Sequence, residues 1–232
     1  SKDCVNTIFE KFRDEVCPER KGNRWEQVRI NALLRDVKWM KLSTDKMSDV
    51  VLTKWRDERL AEVSGATVNR EMNLISAVFT HAIKEWKVRM AENPVKLVKR
   101  PPKPKHRDRR VSDSEYSELV DYFNGAKSET ASWYAGRMFV FGIETAMRLG
   151  EMSNLLWADV QLSKRFLTVT DSKNSDSRHV PLSSAAIKLL SELPKNDDFV
   201  FPASVESVGA MFRRGCGALG IEDLHFHDTR HE

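Results

Sequence analysis

Cysteine is scarce and scattered. Cys4, Cys17 and Cys216 are the only three, an odd number without metal-ligand spacing, which argues against a disulfide framework and for a reducing cytosol. The first residues lack the apolar core of a secretory leader, and the longest apolar run falls far short of a membrane span. Internal repeats and low-complexity segments are also missing, so solenoids and disordered tails are set aside. What remains is the expectation of a soluble, cytoplasmic protein. The chain opens on Ser1 rather than Met and directly in a helical pattern, which leads us to expect a neighbouring segment ahead of it.

What is present is apolar periodicity and positive charge. With 232 residues there is room for one large domain or two ordinary ones, and 41% hydrophobic residues can bury real cores. A charged fraction of 31% with net charge +4 tilts the chain toward polyanions, but where the charge sits says more than its sum. Up to residue 98 the pattern is helical, with stripes at Val5, Ile8, Phe9 and Phe12, at Trp25, Val28, Ala32 and Leu33, and at Val50, Val51, Leu52 and Trp55. A fourth helix is predicted from about Thr67 to Met90, preceded by the break at Ser64 and Gly65 and closed by Asn93 and Pro94. Residues 99–110 are rich in proline and in basic side chains, with Asp108 the only acid near them in sequence, and read as an inter-domain linker.

A second domain, 111–232, opens with a capping box at Ser112 and Glu115. An apolar helix is predicted over Trp133–Ile143. Short antiparallel strands are predicted at Trp157–Val160, Phe166–Thr170 and Arg178–Leu182, with a hairpin turn over Asp171–Ser177. Helices return at Ala185–Leu193 and Val205–Leu219. Arg148 lies between the apolar run 138–143 and a new amphipathic segment carrying Met152, Leu155 and Leu156, so it should start a helix at the edge of a core, where unpaired N–H groups and a guanidinium favour an anion. The alternative is an arginine that caps a helix or pairs with Glu151. Near the other end, His227 and Arg230 are three apart and should share one helix face. Two arginines and a histidine converging on one point suit a phosphate, because guanidinium gives planar bidentate contacts and stays charged.

Together these residues resemble the tyrosine recombinases, the phage-integrase family of site-specific DNA recombinases. Thr145-Ala146-Met147-Arg148-Leu149-Gly150-Glu151 is similar to the family's first arginine box, and His227-Asp228-Thr229-Arg230-His231 to its His-x-x-Arg box. Between them, Asp171-Ser172-Lys173-Asn174 followed by Ser177-Arg178-His179-Val180-Pro181-Leu182 is similar to the hairpin that carries the catalytic lysine. The resemblance implies a mainly α fold, with an N-terminal four-helix core-binding (SAM-like) domain over 1–98 and an α-rich catalytic domain with a small antiparallel β-sheet over 111–232. It implies double-stranded DNA as partner, no metal or nucleotide cofactor, a mobile element or prophage as source, and four protomers on synapsed DNA for the complete protein. Arg148 and Arg230 would hold the non-bridging oxygens, His227 would assist proton transfer, and Lys173 would be the general acid, with Glu151 and His231 in support.

Arg70 lies in the segment similar to the core-binding domain, where it is either solvated or set against phosphate, as are Lys84 and Lys87. Lys99, Arg100, Lys103, Lys105, Arg107, Arg109 and Arg110 would form a strap across the DNA backbone, where each neutralised phosphate releases counterions. The family's second His or Trp and its nucleophilic tyrosine lie beyond the His-x-x-Arg box, and no tyrosine follows Arg230. These residues by themselves are therefore expected to bind DNA as a monomer without cleaving it. Two other readings compete. His225, His227, His231 and Glu232 could be metal ligands, although Arg230 among them would repel a cation. A non-catalytic DNA-binding protein derived from a recombinase would need no tyrosine.

Overall fold

The computed structural model describes residues 4–105, 107–170 and 177–230, which cluster into two compact units, Ser1–His106 and Arg107–Glu232. The architecture is mainly α with one small antiparallel sheet, as expected. Among the described residues no helix is long and apolar enough to cross a membrane.

In the first unit, α1 (Val5–Lys11), α2 (Asn23–Asp36), α3 (Asp49–Leu60) and α4 (Gly65–Lys84) surround one core. The three-and-four spacing of Val68, Met72, Ile75, Val78, Phe79 and Ala82 turns one face of α4 inward, and Phe9 of α1 meets Phe79 edge-on at 5.6 Å. The side-chain oxygens of Ser48 and Ser64 cap α3 and α4 by accepting from Val51 and Thr67. Glu71 on the buried face of α4 is held by Arg29 of α2 at 3.0 Å and Arg59 of α3 at 3.1 Å, so its charge is paired where it is buried.

The fourth helix ends at Lys84, not at Met90. Lys87 takes a left-handed conformation (φ 54), its ammonium donates to the Lys84 carbonyl, and the Val88 N–H turns back to the Ala82 carbonyl. Residues 93–101 then run back along α4. Asn93 donates to Ser76 and Thr80, Arg100 donates to Asn73 Oδ1 at 2.7 Å, and Asn69 donates to the Pro101 carbonyl.

In the second unit, Ser112 and Glu115 form the reciprocal cap of α5 (Asp113–Asn124). The apolar α6 (Ala131–Thr145) is the central element. It packs on α5, on α8 (Ser184–Glu192) and on α9 (Val205–Leu219), with Phe139 against Phe212 at 5.5 Å. A Cβ at Gly136 would lie 2.4 Å from Phe123 Cβ, so only glycine permits this approach of α5 and α6. The sheet runs in the order β1 (Val160–Gln161), β2 (Phe166–Thr170), β3 (Ser177–Pro181), all antiparallel, and buries Leu167, Val169 and Val180. The strand expected over Trp157–Val160 is mostly a 3₁₀ turn, Trp157–Asp159, because Asp159 N–H closes on the Leu156 carbonyl and β2 offers partners only to Val160 and Gln161.

Candidate active site

Arg148 is placed by the way α6 ends. Thr145 Oγ1 donates to the Phe141 carbonyl and accepts from Met147 N–H, Ala146 turns left-handed (φ 51), and Met147 is buried as a plug. The chain therefore emerges with Arg148 extended at the cap of a short helix, α7 (Leu149–Ser153). Glu151, one turn on, accepts from Arg148 N–H at 2.8 Å and from Arg148 Nη1 at 2.9 Å. The helix start was expected to add its own anion affinity. With five residues α7 carries little dipole, and Arg148 N–H is already taken by Glu151, so the positive character rests on guanidinium groups.

Glu151 also binds Arg178 of β3, whose Nη1 and Nη2 donate to its two oxygens at 3.1 and 2.8 Å. Burial opposes ionisation of this carboxyl, but hydrogen bonds from Arg178 and from the main chain and side chain of Arg148 outweigh it and bring its pKa down to about 2. Arg178 was not singled out in the sequence beyond its place in the hairpin. Local spacing could not reveal it, because its partner lies 27 residues away.

The His-x-x-Arg segment forms a 3₁₀ turn, Phe226–Arg230, in which residues three apart eclipse, so His227 and Arg230 share a side. Three buried side chains, Phe226, Asp228 and Thr229, anchor the turn. Phe226 meets Phe212 edge-on at 5.2 Å, and Thr229 Oγ1 sits where a Cβ on Gly142 would come within 3.1 Å. Asp228 is fully buried, accepts His225 N–H at 2.8 Å, and takes Arg107 Nε and Nη2 at 2.7 and 2.8 Å. His227 is left exposed and Arg230 half-buried. Burial lowers the Arg230 pKa first, the Arg148 and Arg178 charges lower it further, and Glu151 opposes them, so all four groups share one field. Among the described residues, these three guanidinium charges less one carboxylate make a formal +2.

Other expected site residues are dispersed. Lys173 and His231 lie outside the described residues, as does Glu232 of the metal reading. Among the described residues, no group of three or more His, Cys, Asp or Glu is arranged to hold a metal. Arg70 stacks over Trp25 at 4.0 Å. Lys99, Arg100, Lys103, Lys105 and Arg110 are exposed. Arg107 and Arg109 need correction as members of a strap with only Asp108 for company. In space Arg107 is clamped by Asp228 and Asp223, and Arg109 pairs with Glu115 at 3.0 Å. Two of those three acids lie far off in sequence, on a segment that folding brings back to the linker.

Comparison with known proteins gives a consistent picture. Residues 109–232 match the phage integrase family. The shufflon-specific DNA recombinase of Escherichia coli is 34% identical over 237 residues, covering 98% of this chain and 60% of that protein. A Haemophilus influenzae relative is also 34% identical, over 239 residues, covering 98% of this chain and 64% of its own length. The chain thus spans a little under two thirds of these relatives. Lambda integrase, solved as a tetramer bound to a Holliday junction, superposes with a TM-score of 0.80 over 98% of this chain and 71% of that one, at 16% identity, a likeness of fold.

Proposed function

Because this chain belongs to the phage integrase family of tyrosine recombinases, we propose that the protein breaks and rejoins duplex DNA at specific sites through a 3′-phosphotyrosyl intermediate. The observation that carries this is the positive cluster of Arg148, Arg178 and Arg230 around one carboxylate. A phosphodiester under attack builds charge on its non-bridging oxygens, and fixed guanidinium groups stabilise that charge without having to reorganise. Arg148 and Arg230 take those oxygens. His227, exposed beside Arg230, hydrogen-bonds the same phosphate and assists proton transfer. Lys173 protonates the leaving 5′ oxygen and His231 supports the site, roles that rest on resemblance alone.

In the chemical step a tyrosine oxygen bonds to phosphorus as the bond to the 5′ oxygen breaks, and the leaving oxygen accepts a proton. Tyr116, Tyr122 and Tyr134 all precede Arg148, so residues 1–232 alone should bind duplex DNA and form no covalent adduct. We assign residues 1–98 to one face of the DNA, residues 99–110 to a linker over the backbone and residues 111–232 to the catalytic domain. The 232 residues should be monomeric without DNA and the whole protein tetrameric on two synapsed duplexes, in the cytoplasm. Lambda integrase as a tetramer on a Holliday junction supports the assembly.

The test is cleavage of target duplex by a polypeptide that carries this chain and its tyrosine. Arg148→Ala and Arg230→Ala should each lower the rate about a hundredfold or more, the scale of losing one preorganised charge donor. Undiminished cleavage in both would place the site elsewhere. A covalent product from residues 1–232 alone would overturn the nucleophile assignment.

A further inference from the structure

The first arginine box and the hairpin meet through a side chain that belongs to neither arginine motif. An ionised carboxylate offers about four lone-pair positions. At Glu151 four donors are in place, Arg148 N–H and Nη1 and both terminal nitrogens of Arg178. The two arginines use it differently. Arg178 meets both oxygens with its planar fork, whereas the Arg148 guanidinium engages through Nη1 and remains 57% exposed. With the fork of Arg178 removed, Glu151 would regain free acceptor positions and an unshared negative charge. Arg148, already bonded to it through Nη1, would turn its own fork into that carboxylate.

We propose that Arg178 is a positioning residue for the phosphate site: by occupying and neutralising Glu151, it keeps the Arg148 guanidinium available to an incoming phosphate. The inference rests on the reading of Arg148 and Arg230 as that site. It gives a residue of β3 a part in anion binding without contact with the anion. It also explains why a site built for a negative ligand keeps a carboxylate at its centre. Glu151 orients two cations, and the second cancels its charge.

Binding of inorganic phosphate to the 232-residue polypeptide at low salt, read from arginine side-chain NMR signals, tests this. In the wild type, phosphate should shift the Arg148 and Arg230 signals. Arg178→Gln should weaken phosphate about tenfold, the effect of removing one unit charge a few ångströms away. The double variant Glu151→Gln/Arg178→Gln restores the formal +2 and should return affinity to within about threefold of wild type. A merely structural contact would leave the double variant as weak as the single one. Arg178→Lys, which keeps the charge but not the fork, should fall between, and decides the matter if Arg178→Gln does not fold. Wild-type affinity in Arg178→Gln or Arg178→Lys, or no recovery in the double variant, overturns the proposal. No phosphate response at Arg148 or Arg230 in the wild type overturns the phosphate site itself and this inference with it.

Discussion

At the scale of single residues, the carboxylates carry as much of the site as the arginines. Asp228 is fully buried and neutralised by an arginine more than a hundred residues earlier in the chain. Asp228→Ala would strand Arg107 and free the His225 N–H. The expected loss in urea unfolding is about 2–3 kcal/mol, less than for a fully buried pair because Arg107 is 33% exposed. Acid tests the same layer. Glu151 and Glu115 both sit near 2 in the folded chain against an ordinary 4.5. A depressed folded pKa means stabilisation complete above pH 4.5 and lost as pH falls toward 2. The stability difference between wild type and Glu151→Gln should therefore shrink across that window. A difference independent of pH there would mean the carboxylate is not held as described. Arg148, His227 and Arg230 stand out as candidates from local motifs. Asp228 as anchor and Arg178 as partner were not, because their contacts are long-range.

At the scale of elements, two glycines of α6 decide how closely neighbours approach. Gly136→Ala would drive a Cβ into the Cβ of Phe123 on α5, atoms that no rotamer can move, so the helices themselves must part. A loss of about 3 kcal/mol is expected in thermal unfolding, at the upper end for overpacking, and a loss below about 1 kcal/mol would show that α5 slides freely. Gly142 does the same for the turn that carries Arg230, by leaving room for Thr229. Helix positions were largely legible because apolar spacing and serine caps are local signals. The end of α4 and the segment Trp157–Asp159 were not, since left-handed Lys87 and the short reach of β2 are set by how the chain turns back.

For the whole molecule, the charge that can meet DNA is smaller than the sequence count suggests. Lys103 and Lys105 are exposed, whereas Arg109 is spent on Glu115. Binding of duplex DNA by the 232 residues should weaken steeply with salt. Lys103→Ala/Lys105→Ala should reduce the slope of log affinity on log salt by about two, close to one for each phosphate left without its cation. Arg109→Ala should barely change that slope while lowering stability. An unchanged slope in the lysine variant would remove the linker from the DNA interface.

The sequence by itself determined the fold class, the helices and the order of the arginine boxes, because periodicity, caps and motifs are properties of neighbouring residues. Only the tertiary structure decided which charges remain available. Arg107 reads as a linker cation with only Asp108 near it until Asp223 and Asp228 return to it, and Arg178 reads as a strand residue until β3 brings it to Glu151. The physical reason is that charge acts through space over a few ångströms, whereas sequence records only separation along the chain.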